Sequence, residues 1–181
     1  MRFSWTTKNN SYHSLVDVKS NYKNITKKFC EMYYPLFDNN FFALEKLYKP
    51  KSLFLFIDED LVGFNSVKHK MLNSNIQKFI HHKINVSSQP IGTNSILITT
   101  NGTVDIVCSS NTRIDDFFND IMSTYTGFGN HIYSCKFFET IILKRNNNNK
   151  FYIYNTIFSI NKNINTDMDM DIDMDIDDDI I

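Results

Sequence analysis

Glycine, proline, cysteine and tryptophan are scarce in this chain: 181 residues hold five, three, three and one of them, and alanine occurs only as Ala43. No GxGxxG run, Walker loop or GxSxG elbow is present, which removes the usual phosphate cradles and the strained serine nucleophile. The three cysteines, Cys30, Cys108 and Cys135, stand far apart without a CxxC pair. So sparse and odd a set argues against a disulfide framework and for reduced thiols in an intracellular compartment. Also missing is an N-terminal stretch joining a charged start to a long apolar run, so neither secretion nor membrane insertion is indicated. Asparagine, isoleucine, lysine, phenylalanine and tyrosine are abundant in return. That balance is the stamp of an AT-rich genome, and it lowers the weight of any single Asn or Lys.

What is present is enough for one domain with appendages: 42% hydrophobic residues, sixteen phenylalanines and a net charge of −1. The net charge hides a division. Residues 167–181 hold eight aspartates and no base, leaving 19 basic against 12 acidic residues elsewhere, a balance of +7. Residues 1–20 lack periodicity and read as a flexible lead-in. Residues 21–162 read as the domain, with an inserted loop at about 109–130, and 163–181 as an acidic disordered tail.

From Tyr22 the apolar positions fall at Tyr22, Ile25, Phe29, Met32, Tyr33, Leu36 and Phe37, which is helical spacing. Pro35 tightens or kinks the last turn, and Asp38 and Asn39 suit a helix end. A second short helix is expected over 41–48, a strand over 52–57, a return strand over 61–64, and a third helix capped by Asn65 or Ser66. Long strands follow over 79–86, 94–104, 133–143 and 151–159. Turn chemistry is read at Pro90 to Gly92, at Asn101-Gly102 and in the asparagine run at 146–149. Three helices followed mostly by long antiparallel strands is an α+β pattern.

An ordered series of fragments then carries a resemblance. It runs Phe29, Tyr33-Tyr34, Leu36-Phe37-Asp38-Asn39, Leu44, Leu47-Tyr48, Gly63 before a helix, Gln77-Lys78 before a histidine, the strand at 137–144, and 151–158 with Asn155. Over about 22–160 the chain resembles the nuclear transport factor 2 family, and its last strand is similar to that of the stress-granule Ras-GAP SH3-binding proteins. The resemblance implies a cone-shaped, curved antiparallel sheet wrapped around three helices, with an internal cavity and homodimerisation through the open sheet face. It implies binding of phenylalanine-containing linear motifs of FxFG or FGDF type, from nucleoporins or ribonucleoprotein factors. By position, Ile25, Phe29, Leu47 and Phe158 match a peptide groove beside the first helix. The small GTPase Ran in its GDP form is a further implied partner. The family's acidic Ran contacts fall here on Ile57, Val107 and Ser109, so Asp58, Asp60, Asp105 and Asp115 are the nearby substitutes.

Related folds also house isomerases and dehydratases. That chemistry needs a tuned carboxylate or histidine inside the cone, and Asp38, Tyr33, Tyr34, His81 and His82 are the candidates. The bland reading makes Asp38 a helix cap and the tyrosines core rings with backbone-bonded hydroxyls. His81 and His82 alternate across a strand, so at most one faces inward. His131 and Cys135, with Cys108, are too few and wrongly spaced for a structural zinc site. Lys19, Lys23, Lys27 and Lys28 with Tyr22 read as a solvated face, so RNA is an indirect partner at most. The expectation is a non-catalytic interaction domain needing no cofactor or metal, with a cavity enzyme as the alternative.

Overall fold

The computed structural model describes residues 18–57, 59–74, 76–109, 123–125 and 130–161. Most of the lead-in, most of the inserted loop and all of the acidic tail lie outside these residues. Helix α1 spans Val18–Asn39 and buries Phe29, Tyr33 and Phe37 of the stripe that its spacing predicts, with Tyr34 in addition. Pro35 stays inside the helix, and the Asn39 side-chain amide donates to its carbonyl at 2.9 Å. The second expected helix is a 3-10 turn, Phe41–Leu47.

The next two strands begin and end earlier than expected. Strand β1 is Tyr48–Phe56 and β2 is Glu59–Val62. Helix α2, Gly63–Asn73, begins directly at the end of β2 rather than at a cap on Asn65 or Ser66, and the Ser66 hydroxyl turns back to donate to the Val62 carbonyl at 2.9 Å. Gly63 makes this abrupt change possible: its φ is +72°, and a Cβ there would stand 2.8 Å from the Pro50 carbonyl oxygen.

The remaining strands are β3 (Ile76–Ile91), β4 (Ser95–Ser109), β5 (Ser123–Tyr125), β6 (Asn130–Arg145) and β7 (Phe151–Asn161). The sheet order is β2-β1-β7-β6-β4-β3, with β5 added on β6. All neighbours are antiparallel except β1 and β7, which run parallel, so the sheet is mixed. Three helices and this curved, open sheet form the α+β cone. Pro90 lies within β3 rather than in a linker, as an edge strand permits.

Asn101-Gly102 is not a turn either. It sits in mid-β4, opposite a register shift of β3 between His82 and Asn85 where Lys83 takes φ +49°. A Cβ on Gly102 would meet the His82 carbonyl oxygen at 2.7 Å, the Phe137 ring at 2.9 Å and the Lys83 carbonyl oxygen at 3.0 Å. The glycine thus lets the bulged strand press close against β4 and bend the hairpin around α1.

The strands alternate as a half-buried sheet requires. On β6 the inward positions are Tyr133, Cys135, Phe137, Glu139, Ile141 and Leu143, all buried. Phe37, Phe79, Phe137 and Phe158 meet between α1 and the sheet, with Phe37 to Phe79 at 5.1 Å and Phe137 to Phe158 at 6.0 Å between ring centroids. Each such ring contributes about 1.5–3 kcal/mol by leaving water. A single hydrogen bond contributes about 1 kcal/mol net, so the rings hold the cone shut and the polar groups orient it.

Gly102→Ala is expected to destabilise the domain by about 1–3 kcal/mol through overpacking. The neighbouring Asn101→Ala, at an exposed position, should stay within about 0.5 kcal/mol. Urea unfolding of the two variants checks the contrast, and equal midpoints would contradict the close approach at Gly102.

Candidate functional site

The inner face of α1 carries two polar clasps onto the sheet. Tyr33 donates its hydroxyl to Glu139 Oε1 at 2.7 Å, and Tyr34 donates to Glu139 Oε2 at 2.9 Å. The Tyr34 oxygen also lies 2.5 Å from the Thr100 hydroxyl on β4. The expectation of backbone-bonded tyrosines is therefore corrected: the consecutive hydroxyls converge on one buried carboxyl. Burial pushes the Glu139 pKa up to about 7, against the lowering effect of the two tyrosine hydrogen bonds. Tyr33 and Tyr34 are raised far above the ordinary phenol range, by burial first and by the Glu139 charge second.

The second clasp lies at the end of α1. Asp38 accepts the His81 backbone amide at 3.1 Å and pairs with His81 Nδ1 at 2.6 Å. Asp38 is thus a cross-chain acceptor rather than a helix cap. The His81 side chain is fully buried, with rings of Tyr34, Phe37 and Phe137 at 5.0, 4.9 and 4.8 Å. Its Nε2 has no hydrogen-bond partner among the described residues. His82 faces outward and meets Asp105 at 3.0 Å, so only one of the two histidines enters the cone, as alternation requires.

The residues matched to a peptide groove divide by burial. Phe158 is 0% exposed, stacked on Phe56 and Phe137 inside the cone, and Phe29 is 6% exposed and stacked on Tyr33. Ile25 and Leu47 are half-buried and pack on the same core. Of the four, only Ile25 and Leu47 reach the surface.

The acidic candidates do not converge. Asp58 and Asp115 lie outside the described residues. Asp60 sits on β2 at one sheet edge, whereas Asp105 is on β4, four strands away. That separation is about 19 Å across the sheet, with about 20 Å more along the strand from the row of Asp60. Asp105 is moreover engaged by His82 and by the Ser134 hydroxyl.

Burial raises the Cys108 and Cys135 thiols to about 11 and about 12, and Cys30 to about 12. Among the described residues no group of three or more His, Cys, Asp or Glu is placed to hold a metal ion. No described helix is long and apolar enough to cross a membrane.

Glu139 is the residue that spacing did not single out. Its signal lies in the pattern itself, since it is the one charged position in an inward row that is otherwise apolar or aromatic from Tyr133 to Leu143. Its partners lie more than one hundred residues away, so no local pattern announces the clasp.

A curved sheet closed on a tyrosine-rich helix, with a ring-filled interior and two polar clasps, defines a cone domain of the α+β class. The chain belongs to the Nuclear transport factor 2 (NTF2) domain family, whose description matches residues 25–160. Nuclear transport factor 2 of Candida glabrata is 25% identical over 137 residues, covering 76% of this chain and 92% of that relative. The structure of nuclear transport factor 2 from Cryptosporidium parvum superposes with a TM-score of 0.53 at 24% identity, over 78% of this chain and 95% of that one. A candidate dehydratase of the NTF2-like family from Streptomyces avermitilis gives 0.55 at 11% identity, over 78% and 97%. At these identities the two superpositions establish the fold alone.

Glu139 sets a pH dependence. Its folded pKa of about 7 lies above the ordinary 4.5, so the folded chain keeps a proton that the unfolded chain releases. That stabilisation is complete below about pH 4.5 and is lost as pH rises through about 7, a change of about 3 kcal/mol. Glu139→Gln should flatten the fall in unfolding free energy between pH 5 and pH 8 and leave the variant the more stable at pH 8. Parallel pH profiles for the two proteins would contradict this.

Proposed function

We propose that this chain is a non-catalytic interaction domain. It pairs with a second copy through the outer face of its sheet and docks phenylalanine-containing linear motifs of FxFG or FGDF type. In that capacity it assists nucleocytoplasmic transport or ribonucleoprotein assembly inside the cell. The observation that carries this reading is a contrast between the two faces of the sheet. The inner face is covered by α1 and filled with the chain's own rings. The outer face leaves Leu53, Phe138, Tyr154 and Ile157 exposed, and Phe138 and Ile157 are diagonal neighbours across β6 and β7. An exposed apolar face of this kind marks an association surface, and a self-complementary one suits a two-fold pair. Low-identity relatives that are named transport factors support the same direction. Ran in its GDP form stays the weaker partner in this reading, because Asp60 and Asp105 stand far apart.

The paired substitution Phe138→Lys and Ile157→Lys should convert a dimer to a monomer in sedimentation equilibrium while leaving the far-UV spectrum unchanged. A wild-type chain that is monomeric at micromolar concentration would sink the pairing. Titration of FxFG and FGDF peptides tests the docking half, with micromolar saturable binding expected. A pull-down with GDP-loaded Ran tests the transport version.

A second reading, a cavity enzyme, is favoured by one observation: the Asp38–His81 pair resembles a base held in one orientation by a carboxylate, with Nε2 unengaged. That chemistry requires Nε2 to exchange a proton with a ligand or solvent inside the cone. Ring-nitrogen NMR decides it, since a single His81 tautomer unresponsive between pH 5 and pH 9 leaves no base.

A further inference from the structure

The sheet carries charge of mainly one sign. Strands β1, β3, β4, β6 and β7 hold two acids, Asp105 and Glu139, against two lysines on β1, two on β3 and three Lys or Arg on β6. Glu139 is buried inside the cone, and Asp105 is engaged by His82 and Ser134. The acids of β2 lie beside Leu55 and Phe56, at the other end of β1 from Lys49, and Glu59 is tied to Lys70. Glu45 precedes Lys49 on the 3-10 turn and makes no ion pair with it. Such a basic field favours an anionic partner.

Where β6 turns into β7, this charge is interleaved with rings. Tyr152 and Tyr154 flank the buried Ile153, so alternation puts both on the outer side of β7, and Tyr154 is 41% exposed. The Lys144 ammonium of β6 stands over the Tyr154 ring at 4.8 Å, and that of Lys49 on β1 stands over Tyr152 at 5.8 Å. Lys51 follows on β1 and Lys150 at the β6–β7 turn, both exposed. None of these four lysines is paired with a carboxylate among the described residues. Two of the cations rest on ring faces instead, which leaves their charge available to an incoming anion.

We infer that this end of the outer face binds single-stranded nucleic acid, with bases stacked on Tyr154 and Tyr152 and phosphates on Lys49, Lys51, Lys144 and Lys150. Residues two apart on a strand stand about 6.6 Å apart, roughly twice the ~3.4 Å step between stacked bases. Neighbouring bases can therefore use both rings only when they are spread apart, as an unpaired strand permits and a duplex does not. A duplex, a polyphosphate or an acidic membrane would use the lysines and leave the rings without a part. The lysines of α1 do not belong to this surface, and Lys27 there is paired with Glu31 at 3.9 Å. The inference goes beyond the peptide-docking reading and does not depend on it. Lys144 lies about 20 Å along β6 from Phe138, away from the centre of the proposed pair.

Fluorescence anisotropy of a labelled oligouridylate, titrated with the whole chain at low salt, tests the assignment. The whole chain is the proper reagent, because the eight aspartates of 167–181 are the competing polyanion that a real site must outbid. Saturable binding is expected, with a log Kd against log salt slope of about 2–3, since each phosphate neutralised on a single strand contributes ~0.7. Tyr154→Ala should weaken it at least about fivefold while leaving that slope unchanged. Lys49→Glu with Lys144→Glu should weaken it at least about tenfold and lower the slope by at least about 1. Lys23→Glu on α1 should change neither. These substitutions are at exposed positions, and an unchanged far-UV spectrum confirms that each variant is folded. Polyphosphate, an RNA duplex and phosphatidylserine vesicles should each compete at least about fivefold less well than unlabelled oligouridylate. Equal competition by any of them, with Tyr154→Ala silent, overturns the nucleic-acid assignment in favour of a merely charged surface. Absence of binding by the whole chain, or loss with Lys23→Glu alone, overturns it as well.

Discussion

One side of α1 has to be buried against the concave face of the sheet, and that face carries a carboxyl and an imidazole taken out of solvent. Tyr33 and Tyr34 answer the first with two hydroxyls on Glu139, and Asp38 answers the second with Oδ1 on the His81 ring and Oδ2 on the His81 backbone amide. An unsatisfied buried group costs about 1–3 kcal/mol, so each clasp penalises any rotation of the helix away from its register. The rings then fill what remains. The bend in the β3–β4 hairpin, which Gly102 permits, brings His81 and Phe79 within reach of Phe37.

This arrangement turns the inside of the cone toward stability and, on the proposed function, leaves recognition to the outside. A carboxyl whose ionisation is opposed by burial and a histidine wrapped in aromatic rings are strong anchors, and they are enclosed by the packing they organise. The outer sheet face has the opposite character, with Leu53, Phe138, Tyr154 and Ile157 exposed. On the proposed function, the same fold that elsewhere encloses chemistry presents two separate surfaces, one for a second copy and one for a peptide ring.

The helix-and-sheet composition was legible because it depends on local spacing. The stripe from Ile25 to Phe37 predicts α1, and alternation predicts the four long strands, although their ends lie up to five residues further out. The parallel pairing of β1 with β7 was not legible, because no local pattern encodes which strands meet. Asn101-Gly102 has the chemistry of a turn, and only the bulge at Lys83 on a neighbouring strand reveals that it is a point of close approach instead. Asp38 carries the same lesson. Its residue type suits a helix end, while its actual partner lies 43 residues away. Of the candidate site, Phe29 and Phe158 lie in the buried core, and Ile25 and Leu47 pack against it half-buried. Which of them reach the surface depends on ring packing that spacing does not specify.

The central claim is that partners are met on the outer surface while the clasped interior stays closed. Amide and side-chain NMR of the chain titrated with an FGDF peptide tests this most directly. Shifts should be confined to surface residues, with the hydroxyl protons of Tyr33 and Tyr34 still protected from exchange. Shifts centred on Tyr34, His81 and Phe137, with loss of that protection, would contradict the claim and place the binding event inside the cone.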